Sequence, residues 1–311
     1  MLENDFEQED NYEDFPLTYA IDNDILMHRD AHFGGDFPLM IEYYRKEGRG
    51  ISKEFDLERI EELAVIEKQG GKNLAATTLS GPEAEKIART REVYKQLRAL
   101  YELSSHKNKI PLLIADLILA EDEEIEAAVQ AVVAEKSAIV PALIDLLRNE
   151  EFYDPLFPGY GLAPALAAEC LGLIGDKRAI VSLFEAIGEA DFFNEDVVLH
   201  ALYAIGEPAK EFLLKVLHGH PINNDNERAA IALVRFKDDP EVSSLCLKML
   251  KEIDLKKDPI LASYLILACE GLKLPEQRQE LLNLANLPTI PKTVQLDIKA
   301  IKKSWESKLE E

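Results

Sequence analysis

The sequence has few cysteines, and their positions exclude two classes of small cross-linked protein. Only three cysteines occur among 311 residues, and Cys170, Cys246 and Cys269 lie in apolar helical patterns rather than in closely spaced pairs. A disulfide framework needs paired cysteines, and a structural zinc site needs ligands at short, regular spacings. We therefore predict three buried thiols that pack as small apolar side chains.

Positive charge is also scarce. Lys and Arg number 35 against 58 Asp and Glu, which gives a formal net charge of −23. Proteins that bind nucleic acid neutralise phosphates with clustered Lys and Arg, and this chain has no such cluster. The sequence therefore predicts that nucleic acid is not a partner, and that a protein or peptide segment carrying Lys or Arg would be attracted to the acidic surface.

Long apolar runs are absent as well. The run IPLLIADLILA is interrupted by Asp116 and falls short of the roughly 20 residues that a membrane-spanning helix needs. The N-terminus is acidic where a secretory signal would be basic, with seven acidic residues and no Lys or Arg in residues 1–14. We expect a cytoplasmic protein with no membrane partner, whose residues 1–14 form a mobile acidic tail.

Residues 15–79 carry apolar side chains at spacings of three and four, which predicts an N-terminal extension of three short helices. Their apolar stripes begin at Leu17, Phe37 and Leu57. Gly48 and the Gly70-Gly71 pair lie where helix C-terminal caps are expected. The stretch GGKNLAATTLSG is then a loop. Ser80 and Glu83 form a predicted capping box that opens the next helix.

Residues 80–311 are periodic. IPLLIADLI and VPALIDLL superpose at a shift of 30 residues, and LGLIGDKRAI, LYAIGEPAKE and LVRFKDDPEV recur at shifts of 31. Gly175 suits a left-handed helix cap, so each unit reads as a helix, a tight turn and a second helix. Five or six helix pairs are predicted, with second helices beginning near Ile110, Ala138, Lys177, Pro208, Pro240 and Pro275.

These units resemble HEAT repeats, specifically the short bacterial kind named after the phycobilisome-lyase family. The segments that carry the resemblance are ALAAECLGLIGDKRAIVSLFEAI, VVLHALYAIGEPAKEFLLKVL and VPALIDLL, and it covers about residues 83–290. The resemblance implies an all-α fold, a right-handed α-solenoid of helix pairs closed by a C-terminal capping helix. It also implies that the second helices line a concave binding face.

The segment HRDAHFGGDF holds the densest group of residues able to bind a metal ion. His28, Asp30, His32 and Asp36 offer two imidazoles and two carboxylates. A structural interpretation accounts for the same residues, because His28 and Arg29 suit the negative end of a helix and Asp36 suits the N-cap of the next. We expect structure rather than chemistry, with no metal and no cofactor.

The regular repeat is interrupted at residues 150–161 by an insertion rich in aromatic residues. Phe152, Tyr153, Phe157 and Tyr160 lie among Pro and Gly. Exposed aromatic residues on such a loop would anchor a partner. Alternatively, they pack on the adjacent helix and seal its edge.

The resulting hypothesis is a non-catalytic scaffold that binds a protein or peptide through its concave face and the insertion at 150–161. The alternative is an enzyme, either lyase-like or dependent on a metal held by the segment from His28 to Asp36. No Ser-His-Asp or Cys-His arrangement is indicated by spacing.

Overall fold

The computed structural model describes residues 20–102, 109–188, 195–288 and 290–307. Helix accounts for 75% of the structure, and no strand occurs among the residues it describes. The all-α prediction is therefore confirmed. The predicted tail at residues 1–14 lies outside the described part of the chain.

The chain divides into two compact units, Met1–Lys95 and Gln96–Glu311. The first unit contains α1 (Ala20–His32), α2 (Phe37–Arg45), α3 (Leu57–Gly70), α4 (Leu74–Thr78) and most of α5 (Gly81–Glu102). The sequence pattern divides the chain earlier, after residue 79. The early part of α5 belongs with the first unit because Tyr94 contacts His32 of α1 and Glu83 contacts Asn23.

The core of the first unit is formed by the apolar faces of α1, α2 and α3. Ile25, Met40, Ile60 and Leu63 are fully buried there, at positions on the stripes that predicted these three helices. The three predicted helices are therefore confirmed from Ala20 on, and Leu17, where the first stripe begins, lies outside the described residues.

Two details of the first unit differ from the prediction. GGKNLAATTLSG is not entirely a loop, because α4 forms within it: Asn73 Oδ1 accepts the N–H of Ala76, and Leu74 is buried. Gly48 does not cap α2, since the left-handed residue after that helix is Glu47, with φ 53°. Gly48 is needed for another reason: a Cβ there would lie 2.4 Å from the Tyr43 ring.

The second unit consists of alternating first and second helices. The first helices are α7 (Ile125–Val133), α9 (Ala163–Ile174), α11 (Glu195–Ile205), α13 (Asn224–Leu233) and α15 (Pro259–Ala268). The second helices are α6 (Lys109–Leu119), α8 (Val140–Leu147), α10 (Ile180–Glu185), α12 (Glu207–Leu217), α14 (Pro240–Glu252) and α16 (Pro275–Ala285). The last helix is α17 (Lys292–Ser307). The predicted starts of the second helices are confirmed to within three residues.

The turn between α9 and α10 shows how each pair is made. Gly175 adopts the left-handed conformation, with φ 71°, and its N–H donates to Leu171 O. Asp176 Oδ1 then accepts the N–H of Arg178 and starts the next helical turn. The predicted cap at Gly175 is confirmed. Gly206 also has positive φ, but its ψ of −135° differs from the ψ of Gly175. The reason is that α12 begins at the residue after Gly206.

Helices in the second unit pack against the helix two places along the chain. First helices contact first helices, from α7 through α9, α11, α13 and α15 to α17. Second helices contact second helices at α6 with α8, α8 with α10, and α14 with α16. The Phe184 and Phe212 rings, 5.4 Å apart, join α10 to α12, and Lys210 joins α12 to Asp239, the N-cap of α14. Two rows of helices result.

Helices α9 and α11 cross closely, with Gly172 facing Ala201. A Cβ added at Gly172 would lie 2.6 Å from Ala201 Cα and 2.9 Å from its Cβ. These atoms belong to backbone and a short side chain, which cannot rotate away. The spacing of the two helices therefore depends on the absence of a side chain at Gly172.

We predict that Gly172→Ala lowers the free energy of unfolding by about 1–3 kcal/mol, because α9 and α11 must move apart. Gly70→Ala is the matched control. Gly70 is also helical, and apart from its chain neighbours and its own helical turn no atom lies within 4 Å of the position that its new methyl group would take, so this change should be neutral or stabilising. Urea unfolding of both variants checks this. Equal stability of the two variants would contradict the close crossing.

We predict that Leu171→Ala destabilises the protein by about 2–5 kcal/mol, whereas Leu173→Ala has little effect. Leu171 is fully buried and Leu173 is 59% exposed, although both precede the same cap. Melting temperatures of the two variants make the comparison. A large fall in melting temperature for Leu173→Ala would mean that α9 packs a different face against its neighbours.

Candidate functional site

The four candidate metal ligands near the end of α1 are engaged in separate structural roles. Among the residues described, no group of three or more His, Cys, Asp or Glu is placed to hold a metal ion. Only His28 and His32 come together, with ring centroids 4.5 Å apart. Asp30 and Asp36 each have other partners, so the four candidate ligands are not gathered at one point, and the alternative metal site stays a prediction.

His28 lies in an aromatic cluster inside the first unit. Its side chain is buried, and its ring has Phe33, Tyr44 and Phe55 within 6.0 Å between centroids. Burial holds the pKa of His28 well below its usual 6.5, and the nearby His32 lowers it further. His28 is therefore neutral at pH 7, which corrects the expectation that it acts as a cation at the negative end of α1.

Arg29 provides the charge that His28 does not. It is fully buried, and its guanidinium donates to Asp30 Oδ1 at 2.6 Å and to Glu67 Oε2 at 2.7 Å and lies 4.4 Å from the centroid of the Phe37 ring. Glu67 Oε2 also accepts the N–H of Leu74. A buried cation needs such partners, and here they join α1, α3 and the start of α4.

His32 and Asp36 have local roles. His32 Nδ1 lies 2.8 Å from the Tyr94 hydroxyl. Asp36 is the N-cap of α2, and its side chain accepts the N–H of Leu39. The predicted cap is confirmed.

The insertion at residues 150–161 packs against the second unit rather than projecting from it. Phe152 and Phe157 are buried. Tyr153 and Tyr160 are half-buried, and the Tyr153 hydroxyl donates to Leu147 O at 2.6 Å. The placement favours the interpretation in which the aromatic residues seal a helix edge, and their role as anchors for a partner stays a prediction.

Glycines allow the insertion to lie this close. Gly159, Tyr160 and Gly161 all have positive φ. A Cβ at Gly159 would lie 3.0 Å from Ile118 O of α6, and one at Gly161 would lie 2.8 Å from Tyr153 O. The insertion is therefore held between α6, α8 and α9.

All three cysteines are free and buried, so the prediction of three buried thiols is confirmed. Burial raises the pKa of Cys170 and of Cys246 to about 12, and it raises that of Cys269 well above 9.0. Such thiols are protonated at neutral pH and are poor nucleophiles.

A groove of about 460 Å³ lies between α12 and α14 in the row of second helices. Its floor includes Leu214, which is buried, and Leu245, which is half-buried. Lys215, Lys248 and His218 are exposed along it. The groove is open to solvent and combines an apolar floor with cationic and polar margins.

The carboxylate at this groove, Glu241, shares the ammonium of Lys210 with two other carboxylates. Lys210 is largely buried, and its ammonium lies 2.8 Å from Asp239, 2.9 Å from Glu207 and 3.3 Å from Glu241. Hydrogen bonds to these carboxylates, Asp239 first, raise the pKa of Lys210. In contrast, neither Lys215 nor Lys248 forms an ion pair within the described ranges.

A groove of about 560 Å³ in the first unit, between α4 and α5, provides a comparison. It also has an apolar floor, with Leu79 and Ile87. Its cations are occupied, since Arg91 binds Asp30 and Lys95 lies 3.6 Å from Glu92. The groove between α12 and α14 is therefore the better candidate for binding an external charged group.

Sequence reasoning did not single out the residues of this groove. A signal was present, because LLKVL in α12 and CLKML in α14 place Lys215 and Lys248 at the same position of consecutive second helices. Apolar residues recur in each repeat because they form the core. A lysine that recurs at an exposed position has no such explanation.

A scan of the chain against protein-family models gave no match, and a search of curated proteins gave no match either. The resemblance to HEAT repeats therefore stays a prediction from the residue pattern. The described helices also include none that is long and apolar enough to cross a lipid bilayer.

We predict that the buried His28 makes the protein less stable in mild acid. Its pKa is lowered in the folded state, so below pH 6.5 the unfolded chain binds a proton that the folded chain does not, and stability falls as pH falls. The loss should approach about 1 kcal/mol per pH unit. His28→Phe, which keeps an aromatic ring, should remove this component.

The measurement is the free energy of unfolding in urea at about pH 7.5 and about pH 5.5, compared between the wild type and His28→Phe. His200→Phe, a change at an exposed histidine, controls for the loss of an imidazole. If His28→Phe and His200→Phe respond to pH in the same way, His28 is not the buried neutral group described.

Proposed function

We propose that this protein is a non-catalytic scaffold whose second unit is a right-handed α-solenoid of HEAT-like helix pairs, and that it binds a protein or peptide segment along the row of second helices. The observation that carries the proposal is the packing of each first helix, from α7 to α15, against the next helix of the same row. Stacked helix pairs produce such contacts, and stacked arrays offer an extended binding surface.

Polar contacts between consecutive second helices support this role for their exposed side. Arg148 of α8 pairs with Glu185 of α10, Gln277 of α16 donates to Ser244 of α14, and Lys251 of α14 pairs with Glu280 of α16. These bridges stabilise the register of neighbouring helices without covering the surface with an apolar layer. A partner can then bind to a preformed surface, which lowers the entropy cost of association.

The alternative, an enzyme, has less support because its candidate residues have structural roles. His28 is buried among aromatic rings, Asp30 pairs with Arg29, and Asp36 caps α2. The thiols are buried and protonated. Free, buried thiols also fit the proposed cytoplasmic location.

The insertion at residues 150–161 has a smaller part in the proposal than the second helices. Phe152 and Phe157 are buried, so only the half-buried Tyr153 and Tyr160 offer surface to a partner. We place the main contact on α12 and α14, where the groove is open.

We predict that a partner cross-links to the second helices and not to the first. In one variant a photoreactive benzoylphenylalanine replaces Ser244, which lines the groove in α14. In the control it replaces Leu173, an exposed residue of α9. Both variants are irradiated in the cells that make the protein, and covalent adducts are identified by mass spectrometry.

The proposal expects an adduct of defined mass from position 244 that is absent from position 173. Adducts from position 173 alone, or the same adducts from both positions, would refute binding along the second helices.

A further inference from the structure

We propose that copies of this chain associate head to tail, with α17 of one copy packing on the outer face of α7 of the next. The proposal goes beyond the proposed function, because it concerns the two ends of the row of first helices and not the exposed side of the second helices. In the described part of the chain this row begins at α7 and ends at α17. Each end helix therefore has an outer face that no further helix of the row covers, and the two outer faces carry opposite charge.

The outer face of α7 borders a groove of about 380 Å³, whose lining residues all belong to the second unit. Its floor is small and apolar, with Leu119 and Ala120 from α6 and alanines from α7. Ala127 and Ala131, one helical turn apart, are exposed, and Tyr101 at the groove is 44% exposed. Because the side chains at a contact set the distance between two helices, a floor of alanines lets another helix approach closely.

The margin of this groove is acidic. Asp116 accepts the Tyr101 hydroxyl at 2.6 Å, Glu124 lies just before α7, and both carboxylates are exposed. Neither forms an ion pair with a described residue, and no Lys or Arg lines the groove. The turn at residues 121–123 adds three more carboxylates, against which Arg98, one turn before Tyr101 in α5, is a single cation. The groove therefore attracts a positively charged helix.

Helix dipoles do not account for all of this acidity. Carboxylates close to Glu124 are stabilised by the positive N-terminal end of α7. Asp116, in contrast, lies in the last turn of α6, where the negative end of that helix disfavours a carboxylate. A cation from a second chain would stabilise Asp116 at this position.

The outer face of α17 has the charge that the groove needs. Three lysines and a leucine, at spacings of four, three and four, share this face: Lys292, Leu296, Lys299 and Lys303. All four are exposed, Leu296 at 63%. The buried residues of α17, which begin at Val294, occupy the opposite face. The basic face therefore points away from α15 and α16, on which α17 packs.

The carboxylates of α17 do not offset these three lysines. Glu306 lies 3.6 Å from a fourth lysine, Lys302. Asp297 is half-buried and accepts the hydroxyl of Ser263 of α15. Lys292, Lys299 and Lys303 form no ion pair within the described ranges. A chain with 58 acidic and 35 basic residues thus ends its row of first helices with a basic face.

The two faces complement each other in shape as well as in charge. Leu296 would rest on the alanine floor of the groove and leave water, and the lysines on either side of it would reach Asp116 and Glu124. In this position α17 would continue the row of first helices from one copy into the next. The two faces are different surfaces, so the contact does not close in a pair of copies and leads to longer assemblies.

The test is sedimentation velocity of the full chain at increasing concentration. We expect the average mass to rise with concentration beyond that of a dimer, and the association to weaken with added salt. Lys299→Glu combined with Lys303→Glu should weaken the association about ten-fold or more, because several exposed ion pairs are replaced by repulsion. Asp116→Lys combined with Glu124→Lys should have the same effect. Melting curves of all variants verify folding.

The decisive measurement is an equimolar mixture of these two charge-reversed variants. The mixture should associate again, because each variant offers the charge that the other has lost. Lys215→Glu with Lys248→Glu, two exposed positions on α12 and α14, is the matched control and should associate like the wild type. Leu296→Ser, which keeps every charge, should weaken association and tests the apolar part of the contact.

Three results would overturn the proposal. One is a wild type that stays monomeric at every concentration, which would leave the two faces to other partners. Another is an assembly that stops at a dimer and persists in the Asp116 and Glu124 variant, which would indicate a symmetric contact elsewhere. The third is a mixture of the two reversed variants that associates no better than either variant alone.

Discussion

A short helix with one apolar face cannot bury that face by itself, so it must pack against other helices. This requirement determines how the helices of the second unit are arranged. Every described first helix from α7 to α15 contacts the next first helix. At Gly172 and Ala201 the helices α9 and α11 approach so closely that a side chain at Gly172 would meet the backbone of Ala201. Burial of residues such as Leu171 and Leu202, both fully inaccessible to solvent, depends on this stacking. The surface that remains exposed is the part of each helix that does not pack against a neighbour. The groove between α12 and α14 is part of this exposed surface.

The helices of the first unit also pack on one another, but their core includes a buried ion pair as well as apolar side chains. Arg29 is fully buried, and its two carboxylate partners come from the end of α1 and from α3. Buried ion pairs of this kind contribute little net stability compared with apolar packing, but the loss of one partner is costly because a charge remains buried. We consider that Arg29 specifies how α1, α3 and α4 pack, while Ile25, Ile60 and Leu63 supply most of the stabilisation.

Sequence periodicity predicted the helices well because each has a regular apolar stripe, and the caps at Asp36 and Gly175 follow from the chemistry of single residues. Helix α4 was missed since five residues are too few to show a period. The division of the chain inside α5 was missed because it depends on contacts with α1 rather than on composition. The direction in which the aromatic residues of the insertion point could not be predicted, because packed and exposed loops share the same composition. Lys215 and Lys248 had a signal in the aligned repeats, but whether they pair with a carboxylate of the described chain depends on the fold.

The packing of each helix against the helix two places along also bears on how the chain reaches its structure. Contacts between consecutive first helices, such as α9 with α11, join residues only about one repeat apart in sequence. Closing such short segments loses little chain entropy, and proteins with mostly local contacts fold rapidly. In stacked-repeat proteins any neighbouring pair of repeats can act as a nucleus from which order spreads in both directions, and we expect the same here. The close crossing at Gly172 and Ala201, with its short side chains and small separation, marks α9 and α11 as one place where that spread can begin.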